Sequence, residues 1–177
     1  HPDQALQKLS TGVLGQTYVS VHNKFLQLKV SAENKHWGPG KYDALLLSSN
    51  SPGFLHFGFS NYQPITTAVG VFDFEWMVGQ LRNSKLIPSD TSIIDRRSNL
   101  YLPKRDEERM LGAMNLTYQP KWIPGLTIGV SNAVQQYVHN AELNDLLGGI
   151  SSLVTKFEGT ADIVPKQQLQ SFHIALK

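Results

Sequence analysis

Apolar and polar residues alternate in seven stretches of the chain, and a period of two marks a strand whose faces meet different surroundings. Thr17, Val19 and Val21 alternate with Tyr18, Ser20 and His22. Leu26, Leu28, Val30 and Ala32 alternate with Gln27, Lys29, Ser31 and Glu33. Leu55, Phe57 and Phe59 alternate with His56, Gly58 and Ser60, and Phe72, Phe74, Trp76 and Val78 with Asp73, Glu75, Met77 and Gly79. Leu126, Ile128 and Val130 alternate with Thr127, Gly129 and Ser131, and Phe172, Ile174 and Leu176 with Ser171, His173 and Ala175. The remaining stretch, from Met110 to Tyr118, alternates less cleanly, because Leu111 and Ala113 interleave with the apolar set.

The breaks carry turn chemistry. Trp37-Gly38-Pro39-Gly40 cannot extend a strand, since Pro39 has no N–H and glycine tolerates positive φ. Ser51-Pro52-Gly53 and Asn61 to Pro64 read as loops, and Gln119 to Gly125 as a short hairpin connection. Two connections are long, about 85–108 and about 137–170. In the second, Leu143, Leu146, Leu147, Ile150, Leu153, Val154 and Phe157 recur at helical spacing. That predicts a short amphipathic loop helix over 143–157, weakened by Gly148 and Gly149. Its stripe would pack the loop, insert into lipid or bind a partner.

Composition narrows the class. Of 177 residues, 41% are hydrophobic and only 17% charged, below the roughly 25% of an average soluble chain. The 14 Gly and 9 Pro favour short strands over long helices. A net charge of +2, with scattered Lys and Arg, argues against nucleic acid as a partner. Without cysteine there is no disulfide framework, thiolate zinc site or thiol nucleophile. No apolar run reaches the ~18 residues of a membrane helix. The expectation is a single all-β unit over residues 1–177. The chain opens His1-Pro2-Asp3, so a signal peptide is expected to be absent or already removed. It closes inside the alternation at Lys177, as a piece of something longer would.

Alternating strands suit a soluble sandwich or a membrane barrel with a wet lumen. Three features favour the barrel. The polar faces carry small uncharged residues beside Lys29, Glu33, Asp73 and Glu75. Aromatics recur near strand ends (Tyr18, Trp37, Tyr42, Trp76, Tyr118, Trp122, Tyr137), as in interfacial girdles. Short Pro/Gly turns mix with two long loops.

One stretch adds a resemblance. Residues 33–81 hold Glu33 before Trp37-Gly38-Pro39-Gly40, then Leu45 to Asn50, then Pro52-Gly53-Phe54 with His56, Pro64-Ile65 and Gly70. A second stretch holds Arg109 to Gly112 and Tyr118 to Leu126, and the tail from Gln168 to Lys177 matches weakly. In this order the motifs resemble the capsule assembly Wzi family, over about two-thirds of the chain. His36 stands where many relatives have Trp, and Leu55 where Pro is usual. The resemblance implies an antiparallel transmembrane β-barrel in the bacterial outer membrane, of which these residues form a segment. It implies a lectin-like protein, not an enzyme, that binds capsular or other surface polysaccharide and helps assemble or anchor it. Outer-membrane lipid and lipopolysaccharide would surround it, with other envelope proteins as further partners and no cofactor.

Candidate chemistry follows from both readings. Sugar faces stack on aromatic rings while their hydroxyls need polar partners, which singles out Trp37 and Tyr42 with Glu33 and Asn50. The alternative for these aromatics is a girdle position or a turn packed inside the barrel. Arg96, Arg97, Lys104 and Arg105 would attract an acidic polysaccharide, or form an ordinary solvated loop. Asp73 and Glu75 share a strand face as lumen carboxylates; a soluble glycoside hydrolase would use such a pair catalytically. A porin-like channel would use the same polar lumen for small solutes. Glu33, His36 and Asp43 fit no metal-ligand template, and the other histidines are dispersed, so no metal is expected.

Overall fold

The computed structural model describes residues 15–38, 46–47, 53–82, 107–140 and 167–176. The expected helix over 143–157 and nearly all of the 85–108 connection lie outside them. All seven alternating stretches form strands. They are β1 (Tyr18–His22), β2 (Leu26–Ser31), β3 (His56–Asn61), β5 (Gly70–Leu81), β6 (Arg109–Pro120), β7 (Leu126–Tyr137) and β8 (Gln167–Leu176). A two-residue strand, β4 (Ile65–Thr66), has no period to reveal it and is the one the alternation misses. The order is β1-β2-β3-β5-β6-β7-β8 in one sheet, with β4 paired on β5 and every pairing antiparallel. The protein is therefore all-β, and the sheet is open: β1 and β8 each have an outer edge unpaired by any described strand.

The chain alternates between short turns and long connections, so every short turn falls at one end of the sheet. The β1–β2 turn is held by Asn23, whose Oδ1 accepts from Phe25 N and Leu26 N at 2.8 Å. In the β4–β5 turn, Thr67 N and Oγ1 both donate to Gly70 O at 2.8 Å. Gly70 has φ +154°, and a Cβ there would lie 2.3 Å from Gln119 O, so only glycine fits. Lys121 to Gly125 join β6 to β7. At the opposite end run the connections 32–55, 82–108 and 138–166. The last is shorter than the expected 137–170, because β8 begins at Gln167.

β4 continues β3 after a bulge. Ser60 pairs with Glu75 and Ile65 with Phe72, so the β3–β4 side carries two extra residues. An even insertion keeps Ile65 on the same face as Phe57 and Phe59. Asn61 fills the gap: its Oδ1 accepts from Phe74 N at 2.7 Å and its Nδ2 donates to Gln63 O at 2.8 Å. Asn61→Ala should leave the Phe74 amide without its acceptor and cost about 1–3 kcal/mol. Amide hydrogen exchange at Phe74 checks this, with protection expected to fall there and to persist at Met114.

The register separates two faces. One carries Val19 and Val21, Leu26, Leu28 and Val30, Phe57 and Phe59, Phe72 to Val78 at alternate positions, Leu116, Val130 and Ile128, and Phe172, Ile174 and Leu176. Many of these are open to the surroundings, Val21, Phe172 and Ile174 by more than 70%. The exception is the far half of β7, where Asn132, Val134 and Gln136 on this face are buried. The other face is polar. One cross-strand row on it reads His22, Gln27, Ser60, Glu75, Asn115, Ser131 and Ser171.

The apolar band does not follow the hydrogen-bonded rows. Ser20, midway between Val19 and Val21, lies in a row that reaches Leu169 on β8, whereas the apolar residues of β8 centre on Ile174. The band slips by five residues in six strand-to-strand steps. At strand rise and spacing of about 3.3 and 4.8 Å, that is a slope of roughly 30°.

Candidate functional site on the polar face

The segment that follows β2 folds back across the polar face near the long-connection end. Its backbone is tied at both ends, by Ala32 N donating to Thr17 O at 2.8 Å and Trp37 N to Leu47 O at 3.2 Å. Gly53 lets the returning chain pass close: a Cβ there would sit 1.9 Å from Ala32 O. Two acidic side chains organise the strap. Glu75 on β5 accepts from Trp37 Nε1 at 2.9 Å and pairs with the Lys35 ammonium. Glu33 pairs with Lys29 and accepts from Ser31 Oγ at 3.1 Å. The Lys29 ammonium also stands 4.0 Å above the Tyr18 ring. The Trp37 ring is buried against Met77, Leu111, Ala113 and Ala133, with Leu46, Leu47, Phe54 and Leu81 packed around them. This apolar island explains why Met110 to Tyr118 alternates poorly: Leu111 and Ala113 face the polar side but sit beneath Trp37.

Burial alone would raise the Glu33 carboxyl; the hydrogen bond and charge of Lys29, with help from Ser31 and Lys35, outweigh it and hold the group below the usual carboxylate range. The stabilisation from a depressed carboxyl is present above its unfolded value and is lost as pH falls through the folded one. A carbon NMR titration of Glu33 should therefore give a midpoint below that of ordinary glutamate, and Lys29→Met should move it upward.

Of the residues expected to bind polysaccharide, the structure brings Glu33 and Trp37 into the strap. Trp37 is 6% exposed, so in this arrangement its ring faces the protein. Tyr42, Asn50, Arg96, Arg97, Lys104 and Arg105 lie outside the described residues. Asp73 is exposed on the polar face one row nearer the short turns, in line with Thr117, Gly129 and His173. The His173 ring lies across Gly129, where a Cβ would fall 2.0 Å from it. His56 is buried in the row of Ser31, Gly79, Leu111 and Gln135; its Nδ1 lies 2.8 Å from Phe54 O, and its Nε2 has no hydrogen-bond partner. Among the described residues no three His, Cys, Asp or Glu side chains gather as a metal site requires.

Alternation did not single out the far ends of β6, β7 and β8. There the Arg109 guanidinium stacks 4.9 Å from the Tyr137 ring and donates from Nη2 to Tyr137 Oη at 3.1 Å. Gln135, Gln136 and Gln167 complete a small cavity around them. The sequence signal is the polar end of the β7 stretch, Gln135-Gln136-Tyr137, whose Tyr137 lies opposite Arg109 in the ladder.

Comparison of the chain with protein-family models, with curated proteins and with solved structures gives no match.

Proposed function

We propose that these residues form a segment of an outer-membrane β-barrel of Wzi type, which binds surface polysaccharide noncovalently and helps anchor it at the cell surface. The observation that carries this reading is the open apolar face. One sheet holds every described strand, one of its faces is apolar and largely uncovered, and the other is polar. A bilayer satisfies such a sheet by covering the apolar side with acyl chains. The alternation of short turns at one end with long connections at the other supports the same reading. So does the roughly 30° slope of the apolar band, close to the 35–45° strand tilt of membrane barrels, since lines of equal depth then cross the ladder obliquely. Exposed Phe25, Tyr62 and Trp122 beside Lys24 and Lys121 at the short-turn end suit a headgroup boundary.

Polysaccharide binding rests on the ordered motifs at residues 33–81 and 109–126. On this reading the outer leaflet's lipopolysaccharide surrounds the barrel, and the long connections meet the glycan. The binding involves no turnover.

The test uses the intact protein. It should need detergent to stay dispersed, migrate differently on gels before and after heating, and retain capsular polysaccharide in a pull-down. A monomer freely dissolved in buffer, with no heat-dependent mobility, overturns the membrane reading. A heat-modifiable protein that retains no glycan overturns the polysaccharide reading.

A further inference from the structure

The strap returns to the sheet through Phe54, Leu55 and His56, and these three residues are pressed onto Gly79. A Cβ at Gly79 would lie 2.6 Å from Leu55 O, 2.7 Å from His56 Cβ and 2.7 Å from the Phe54 ring. Leu55 O also accepts from Gln80 N at 3.3 Å. The Phe54 ring packs against the Trp37 island and stands 5.2 Å from the His56 ring, centroid to centroid. His56 is thus the foot of the strap, at the first position of β3. Phe54 O can only accept, so Nδ1 of a neutral His56 carries the hydrogen and donates it there. Nε2 is then a bare lone pair, buried and without a partner.

We propose that His56 is an acid-sensitive latch for the strap: a proton on Nε2 releases the returning end from Gly79 and frees Trp37 from the polar face. A second N–H on this ring would be buried with no acceptor to receive it. The charged groups around the ring do not supply one. From β2 and from the strap it faces two cations, Lys29 and Lys35, and from β5 it faces Glu75. The Glu75 carboxylate is already engaged by Lys35 and by Trp37 Nε1. Glu33 is likewise engaged by Lys29. Along the row of His56 stand Tyr18, Ser31, Gly79, Leu111 and Gln135, none of them acidic. The strapped form therefore holds the neutral ring, whereas a released ring finds water as acceptor and takes the proton. A proton bound only by the released form favours release by up to about tenfold for each pH unit below the ordinary histidine value of about 6.5. Glu33 does not share this window: burial would raise its carboxyl, but Lys29 outweighs that and holds it below the usual carboxylate range. The latch concerns the strap and does not rest on the polysaccharide reading.

The experiment follows hydrogen exchange of the Trp37 indole N–H by NMR in the intact protein in detergent, between about pH 7.5 and about pH 5.5. The exposed Trp122 indole corrects for the intrinsic exchange rate at each pH. Protection of Trp37 relative to Trp122 should fall by about fivefold or more over this interval, while the ring nitrogens of His56 titrate with it. His56→Asn keeps a donor for Phe54 O and cannot take the proton, so its protection should stay level. His36→Asn, which removes the exposed histidine of the strap, should leave the fall intact. Level protection in the wild type, the same fall in His56→Asn, or loss of the fall in His36→Asn overturns the latch. Should His56→Asn fail to fold, the wild-type ring decides: if it stays neutral while Trp37 loses protection, the latch falls, and if it titrates in step, the latch stands.

Discussion

Leu116→Arg should lower the folding stability of the intact protein in a bilayer by about 2–4 kcal/mol, which is roughly a 30- to 900-fold change in the folded-to-unfolded ratio. Leu116 lies on the apolar face of β6, between Phe74 on β5 and Val130 on β7. It is exposed, so arginine meets no steric obstacle there. In water, a charge at such a position would change stability by no more than about 0.5 kcal/mol. Only a surrounding hydrocarbon makes it expensive, because the guanidinium must be stripped of water or drag water in with it. The adjacent Thr117→Arg points to the opposite face and should be nearly neutral. Denaturant titration in lipid vesicles measures both. If the two substitutions cost the same small amount, the apolar face does not lie in lipid.

Trp37→Ala should cost about 3–5 kcal/mol, the range for emptying a buried aromatic site. The ring fills the apolar island over Met77, Ala113 and Ala133, and its N–H satisfies Glu75 Oε2. The hydrogen bond and the packing separate by variant. Trp37→Phe keeps most of the packing and loses the donor, for about 1 kcal/mol. Glu75→Gln keeps an acceptor for the indole but loses the charge that pairs with Lys35, so the strap loosens less than with Trp37→Ala. If the polar face lines the lumen of the proposed barrel, the strap crosses that lumen and freeing it has a functional readout. In a planar bilayer Trp37→Ala should conduct more than wild type, and Glu75→Gln should fall between. Unchanged stability in Trp37→Ala would show that the ring is not packed as described.

Much of the sheet was legible in the chain because facing is a local property. Successive residues of a strand point to opposite sides, so the alternation of Leu26 to Ser31 or Phe72 to Gly79 marks both the strand and its two faces. Legibility failed where a strand is covered on both sides. β7 runs on to Tyr137, but Asn132, Val134 and Gln136 are buried on one face while Ser131, Ala133 and Tyr137 are buried on the other, so no alternation remains to be read. β4 was too short for any period, and its pairing depends on Asn61 completing the bulge.

The candidate site was legible in its residue types and not in its arrangement. Glu33, Trp37 and Glu75 stood out as chemistry-bearing residues. Their roles as anchors of a folded-back strap come from partners far apart in sequence, with Lys35 and Trp37 reaching Glu75 across the sheet. The Arg109 cavity is likewise built from the ends of three strands. Residue order alone thus determined which stretches are strands, which side of each is apolar and where the turns fall, because those depend on neighbours two or three residues away. The folded chain alone decided that the apolar band slants across the ladder, that Trp37 closes over the polar face, and that Arg109 meets Tyr137. Each of these depends on register between strands, which no single segment carries.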